Sequence, residues 1–352
     1  MRIAFLILCF SWLSSQLYAQ NPRLALYESS PMMVNPAWTG KFNGKIQVGA
    51  HGSMMSTDSA KMLHTNFSLE YRSKYDEEDR RNLKYWAAGI NVYRYGHSTS
   101  PLSAMFITGS AAYHTYIDRR RRHNLSAGFQ ATMASGQLNR QPEKDYFYDP
   151  EISGGGFTYR EGDSDIPSTS HSYLDFNIGV NYAYRTPTFT FESGLAMYHL
   201  FYPPNDIFQL DADIPRLRHR GVFTMQFGFE MDEINTLQFK SMYWTDGLFW
   251  LSSSFNDRGT NEYKVASWFG LELVKTPVEE KVFRFNYGLH SRSFRTIMPV
   301  ISGFYKDQYN IRATYEYPMN SKNFEAYRAK RLEVSFFMYL NPRGRVRPYT
   351  ED

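Results

Sequence analysis

His97 stands beside Ser98, and His171 lies between Ser170 and Ser172. A histidine next to a hydroxyl is the minimum from which a general base and a nucleophile are built. No Gly-x-Ser-x-Gly elbow accompanies either pair, and both occur where the surrounding pattern predicts loop mouths, so they read as solvated loop residues. The nine histidines are scattered, with no HExxH and no histidine–carboxylate pair at metal-ligand spacing. Gly154-Gly155-Gly156, beside Asp149, Glu151, Asp163 and Asp165, suggests a phosphate cradle or a calcium loop. The first needs a strand before it and a helix after it, and the second needs regularly spaced acids. Neither pattern is present, and a surface loop is the reading. The sequence therefore predicts no catalytic, cofactor-binding or metal residues, although a triad assembled from separate strands would leave no local trace.

Another set of charges is placed differently. Glu192, Glu230, Arg284, Arg312 and Glu316 each sit within a segment where every second residue is large and apolar. The clearest such segment, 173–186, reads YLDFNIGVNYAYRT. Leu174, Phe176, Ile178, Val180, Tyr182 and Tyr184 share one face of an extended strand, and Asp175, Asn177, Gly179, Asn181, Ala183 and Arg185 share the other. Candidate strands occupy 43–56, 62–72, 84–95, 102–117, 123–136, 172–186, 188–199, 219–231, 235–244, 248–256, 262–273, 281–292, 297–305, 308–317 and 331–340. Strand 331–340 is less strict, because Phe337 and Tyr339 occur on its polar side. No longer segment has a helical period.

Strands of this kind suit a soluble sandwich or a barrel in lipid, and three features separate the two. Aromatic content is 17%, with 27 Tyr and 27 Phe, which suits lipid-facing strands with aromatic girdles. Residues 1–19 have a basic start, a short apolar run and a small-residue cleavage site near Ala19, the form of an export signal. Cys9 would leave with it, so no disulfide is expected. The connections 137–171 and 200–218 are long, whereas 118–122, 186–188, 232–234, 257–261 and 293–296 are tight. Long loops at one end and short turns at the other is an outer-membrane barrel asymmetry. Fifteen candidates is an odd number, which a single-chain bacterial barrel does not allow, so one is expected to drop out. The prediction is an all-β transmembrane antiparallel barrel of about 14 strands, with 16 as the alternative, around a polar lumen. The inward charges would fill that lumen or select a substrate. Net charge is only +4, which gives no support to nucleic-acid binding, and the run 119–122 reads as a solvated turn. Beyond the signal the expected divisions are a periplasmic lead-in at 20–41, the barrel at 42–340 and a C-terminal tail at 341–352.

The lead-in contains Asn35-Pro36-Ala37-Trp38-Thr39-Gly40. Pro36 fixes φ, Asn35 can cap its own backbone and Gly40 permits positive φ, so the motif is a turn. With an early Tyr and a Met-rich spacer, this N-P-A-aromatic-x-G motif resembles the start of the PorP/SprF family of outer-membrane proteins of type IX secretion and gliding in Bacteroidetes. The segments GLAMYHLF (194–201), NIRATYEYP (310–318) and 331–339 are more weakly similar to that family. The resemblance implies a non-enzymatic, cofactor-free 14-stranded barrel in the outer membrane. Such a barrel partners other secretion components, with a periplasmic lipoprotein among the candidates, or holds the C-terminal domain of a secreted adhesin at the cell surface. Exposed loops on a rigid scaffold commonly carry binding, which points to Tyr146, Phe147, Tyr148, Phe157, Phe201 and Tyr202 as candidate partner anchors. A porin or a channel for hydrophobic substrates is the alternative function, and a lipid hydrolase a third.

Overall fold

The computed structural model describes residues 25–56, 61–73, 84–97, 102–138, 147–149, 156–158, 170–203, 216–217, 219–232, 234–246, 264–275, 283–292, 294, 296–319 and 330–340. The strands are β1 (Ile46–Ser56), β2 (Lys61–Arg72), β3 (Lys84–His97), β4 (Leu102–Tyr116), β5 (His123–Leu138), β6 (Phe147–Asp149), β7 (Gly156–Thr158) and β8 (Ser170–Arg185). They continue as β9 (Phe189–Tyr198), β10 (Arg220–Glu230), β11 (Asn235–Asp246), β12 (Lys264–Lys275), β13 (Phe283–Arg292), β14 (Thr296–Tyr305), β15 (Tyr309–Pro318) and β16 (Lys330–Leu340). All except β6 and β7, which form a separate two-stranded hairpin, join one closed barrel in sequence order. Every pair is antiparallel, and β1 closes on β16 with Ile46 opposite Leu340. The expected fourteen-stranded barrel is therefore the one observed.

The alternation has the sense that lipid requires. On β2, Leu63, Phe67 and Leu69 are exposed, whereas His64, Asn66, Ser68 and Glu70 are buried, with Phe67 62% and Glu70 1% exposed. A water-soluble domain does the reverse. The barrel holds its polar face inward and presents its apolar face to the bilayer. No helix among the described residues is long and apolar enough to cross a membrane.

One candidate strand drops out, as the parity argument required. β11 pairs directly with β12, Asp246 opposite Lys264, so the barrel closes without 248–256, which lies outside the described residues. Counting that extra candidate also exchanged the two barrel ends for the later connections. The turn joining β13 to β14 was expected at the short-turn end, but in the strand order it belongs to the end that carries the long connections. The run 119–122 is the turn between β4 and β5, with Arg119 and Arg120 exposed as expected. Glu230 lies on the same face of β10 as the buried Val222 and Thr224, as expected, but at the end of the strand, where it is exposed. Phe337 is buried on the inner face, because it packs over Gly49 of the neighbouring strand.

The largest departure concerns the lead-in. Expected below the barrel, its described part (residues 25–41) lies inside it. Three single-turn 3-10 helices, Tyr27–Ser29, Pro31–Met33 and Pro36–Trp38, fold the segment into the lumen, where Ala25, Leu26, Tyr27, Met32, Ala37 and Thr39 are almost wholly buried. The physical reason is that a lumen lined by polar side chains offers a peptide the hydrogen bonds its backbone needs.

Candidate functional site, a peptide seated in the barrel lumen

Asn35 begins the seat. Its Oδ1 accepts the Ala37 backbone N–H at 2.9 Å, closing the turn that Pro36 initiates. Its Nδ2 faces outward and donates to the carbonyls of Val180 at 3.1 Å and Leu195 at 3.4 Å, which ties the turn to β8 and β9. The barrel wall is flat where the motif presses on it. A β-carbon at Gly179 would overlap Asn35 Oδ1, one at Gly128 would overlap the Pro36 carbonyl, and one at Gly194 would come within 2.8 Å of Asn35 Nδ2. Gly128 and Gly179 are directly opposite each other on β5 and β8. The seat is thus a patch of wall without side chains on three adjacent strands.

The rest of the motif is held one residue at a time. Trp38 Nε1 donates to Asn181 Oδ1 at 2.9 Å, and its ring meets Tyr27 at a centroid distance of 6.0 Å. Thr39 Oγ1 shares a hydrogen bond with Ser110 Oγ, and the Thr39 carbonyl lies 2.8 Å from His114 Nε2. Gly40 has φ +76°, a conformation that suits glycine, and donates its N–H to Glu70 Oε2 at 2.7 Å. Lys41 pairs with Glu192 and lies over the Trp38 ring at 4.5 Å. Asn35, Pro36, Ala37, Trp38 and Gly40, singled out by the resemblance, are brought together here, although in the lumen and not beneath it.

At the other end of the segment the partners are charges. The Glu333 carboxylate accepts the backbone N–H groups of Ala25 and Leu26, both at 2.8 Å, and Trp268 Nε1 donates to the Ala25 carbonyl at 2.9 Å. Glu28 pairs with Lys240 at 2.9 Å and with Arg312, and both cations also reach Glu272, which in turn lies 2.8 Å from His290 Nε2. Arg292 and Arg331 flank Glu316. Buried charges are costly unless paired, and each charge of this network has an oppositely charged partner, while Arg312 Nε and Arg331 Nε have no hydrogen-bond partner among the described residues. Between the two ends lies a small apolar core in which Tyr27, Val34 and Trp38 pack with Val222, Met242, Trp268 and Met298. Of the charges expected inside, Glu192, Arg312 and Glu316 are buried there, while Arg284 is half-buried beside Asp307. Glu28, Glu70, Glu272 and Glu333 carry the seat and were not singled out by the sequence. A charge at position 28 in an otherwise uncharged stretch was the available signal.

The loop anchors are not gathered into one site. Tyr146 lies outside the described residues, whereas Phe147 and Tyr148 belong to β6 and Phe157 to β7, with Tyr148 opposite Phe157. Phe201 is exposed and packs edge-on against the lipid-facing Phe176 at 5.5 Å. Tyr202, at φ +48°, stacks on His219 at 3.9 Å. His171, Ser170 and Ser172 are the opening residues of β8, and Ser98 lies outside the described residues. No group of three or more metal-ligating side chains occurs among the described residues.

A closed fourteen-stranded barrel with an apolar belt and a peptide packed in its polar lumen is a membrane barrel of the outer-membrane type. The family model described as type IX secretion system membrane protein PorP/SprF matches residues 16–337, and the chain belongs to that family. No protein of curated function matches it. Among solved structures it is similar to the Ralstonia pickettii toluene transporter TbuX, with TM-score 0.49 and 11% identity over 89% of this chain and 94% of that one. The Pseudomonas putida toluene transporter TodX gives 0.48 and 8% over 92% and 94%. The monoaromatic hydrocarbon channel CymD gives 0.47 and 12% over 89% and 93%. Identities this low say nothing of what the chain binds.

Proposed function

We propose that this barrel is a non-enzymatic docking component of type IX secretion in the outer membrane. It holds the C-terminal domain of a secreted adhesin or other cargo at its long-loop end, and a periplasmic lipoprotein or another secretion component meets its short-turn end. The observation that carries the reading is the seated peptide. Residues 25–41 occupy the lumen through paired charges and main-chain hydrogen bonds, an arrangement suited to a rigid platform. A porin or hydrocarbon channel needs that space for its substrate. Recognition is assigned to the connection that contains Tyr146, Phe147, Tyr148 and Phe157, and to Phe201 and Tyr202, because loops on a rigid scaffold carry binding. Deleting 139–169 should abolish co-purification of a co-expressed type IX C-terminal domain while the barrel stays heat-resistant on gels. Undiminished co-purification would overturn the assignment.

A further inference from the structure

Gln130 connects the seated peptide to the space beside it. Its Nε2 donates to the Met32 carbonyl at 3.2 Å, and its side chain also lines a cavity of ≈ 150 Å³. Tyr27, Met33 and Val34 of the seated peptide form part of the lining, and the rest comes from the long-loop halves of β3, β4, β5, β8, β9, β10 and β11.

Three side chains lining this cavity have hydrogen-bonding atoms without partners among the described residues. Asn91, 1% exposed, uses neither end of its carboxamide. Asp175, 5% exposed, has Oδ2 3.0 Å from His199 Nδ1 and leaves Oδ1 unpaired. The Tyr198 hydroxyl is the third. Unpartnered polar atoms occur elsewhere in the lumen as well, at His51 and Glu70 among others, but these three surround one open space, which sets them where the hydrogen bonds of a ligand would satisfy them.

The seat of the lumenal peptide indicates what kind of ligand. There the barrel binds peptide through side chains on main-chain groups: Gln130 on the Met32 carbonyl, Ser126 on the Ala37 carbonyl at 3.1 Å, and Glu333 on two amides. Aromatic side chains of that peptide are seated alongside. The cavity continues the same surface, with the free carboxamide of Asn91 among the rings of Tyr93, Phe106, Tyr173 and Trp244. Its volume suits a single ring, since a cavity of about 150 Å³ accommodates benzene.

We propose that this cavity receives one ring-bearing side chain of an extended peptide that a partner inserts from the long-loop end, with a peptide amide paired to Asn91 and a donor group paired to Asp175. The proposal rests on the docking reading and names the feature of the partner that is recognised. The purified full chain in nanodiscs, titrated with N-acetyltyrosinamide and followed by saturation-transfer NMR, tests it. Saturable binding is expected, weakened about tenfold by Asn91→Leu and abolished by Ala134→Trp, which fills the cavity from a fully buried wall position. Heat-modifiable gel migration checks that both variants are folded. The proposal is overturned by no saturable binding to the parent protein, by unchanged binding to Ala134→Trp, or by glucose binding in place of the blocked tyrosine. Binding that appears only after removal of 20–24 also overturns it, since the occupant would then be the chain's own N-terminal residues. The assay contains no partner, so it separates the two readings. A barrel that captures its C-terminal domain but binds no probe loses the cavity and keeps the docking role. One that binds the probe but captures nothing loses the docking role and keeps a peptide-binding cavity.

Discussion

Gly179 on β8 lies so close to the side chain of Asn35 that a β-carbon there would occupy the position of the amide oxygen. That oxygen closes the Asn35–Ala37 turn, so the backbone of a barrel strand and the fold of the lumenal peptide depend on one contact. Gly179→Ala should therefore act as overpacking and destabilise the protein by about 1–3 kcal/mol. Gly109→Ala, where a β-carbon meets nothing within 4 Å, is the matched control. Urea unfolding in detergent, read by tryptophan fluorescence, checks the pair. Equal midpoints for the two variants would show that the contact does not matter.

Trp38 ties the peptide to the barrel through its Nε1 on Asn181, and it holds the peptide's own fold through its ring on Tyr27. Trp38→Ala removes both and leaves a buried amide oxygen without its donor, for an expected loss of about 3–5 kcal/mol. Trp38→Phe keeps the ring contact and loses the hydrogen bond, and should cost about 1–3 kcal/mol. The ordering of the two variants in the same unfolding assay is the measurement.

The barrel was legible in the sequence because its signal is local. The six apolar residues from Leu174 to Tyr184 declare a two-faced strand without reference to any neighbour, and the structure places that face outward. Strand count was less legible: 248–256 is apolar enough to read as a strand although it does not alternate, and only the direct pairing of β11 with β12 removes it. The turn chemistry of 35–40 was readable residue by residue: Asn35 does cap Ala37, and Gly40 does take positive φ. Its location was not, because a peptide folded into a lumen has no period. The seat is written in Gly128, Gly179 and Gly194, which are far apart in the chain and become one patch only when β5, β8 and β9 are in register.

Glu28 is the one carboxylate that the described part of the lumenal peptide contributes to the charge network, and it faces Lys240 and Arg312. Glu28→Gln leaves those two cations sharing Glu272 alone. Removing one partner from a buried network typically costs about 3–5 kcal/mol; Glu28 is partly exposed, so a loss at or below the lower end is expected. Glu28→Gln should also expose the segment to proteolysis, detected as cleavage within 25–41 while the strands remain intact. A digestion pattern identical to that of the parent would argue that main-chain contacts alone hold the peptide.

Asp232, in the turn between β10 and β11, accepts from the Asn235 side chain and from the backbone N–H groups of Ile234 and Asn235, the last at 2.7 Å. These hydrogen bonds, those of the Asn235 side chain foremost, hold its carboxyl below the ordinary aspartate value. A lowered folded value means that the turn is supported above the ordinary aspartate pKa and loses that support as pH falls through the lowered one. The Asn235 amide resonance, followed by NMR in detergent micelles, should titrate with a midpoint below that of an aspartate in an unstructured peptide. Asp232→Asn should remove the titration.

Residues 25–41 fill the lumen between two anchored ends, with Glu333 holding Ala25 and Leu26, and Glu70 holding Gly40. If that filling is what closes the barrel, the intact protein in a planar bilayer should show little ion conductance. A variant with 25–41 replaced by a short glycine–serine linker should conduct steadily, because the polar face it uncovers, with Glu70, Glu272, Arg312 and Glu333, is one that water and ions wet. Conductance should be intermediate and fluctuating for Gly179→Ala, whose peptide is displaced but still tethered. Steady conductance from the intact protein would favour the channel reading over the platform. A silent replacement variant would place the seal elsewhere than the seated peptide.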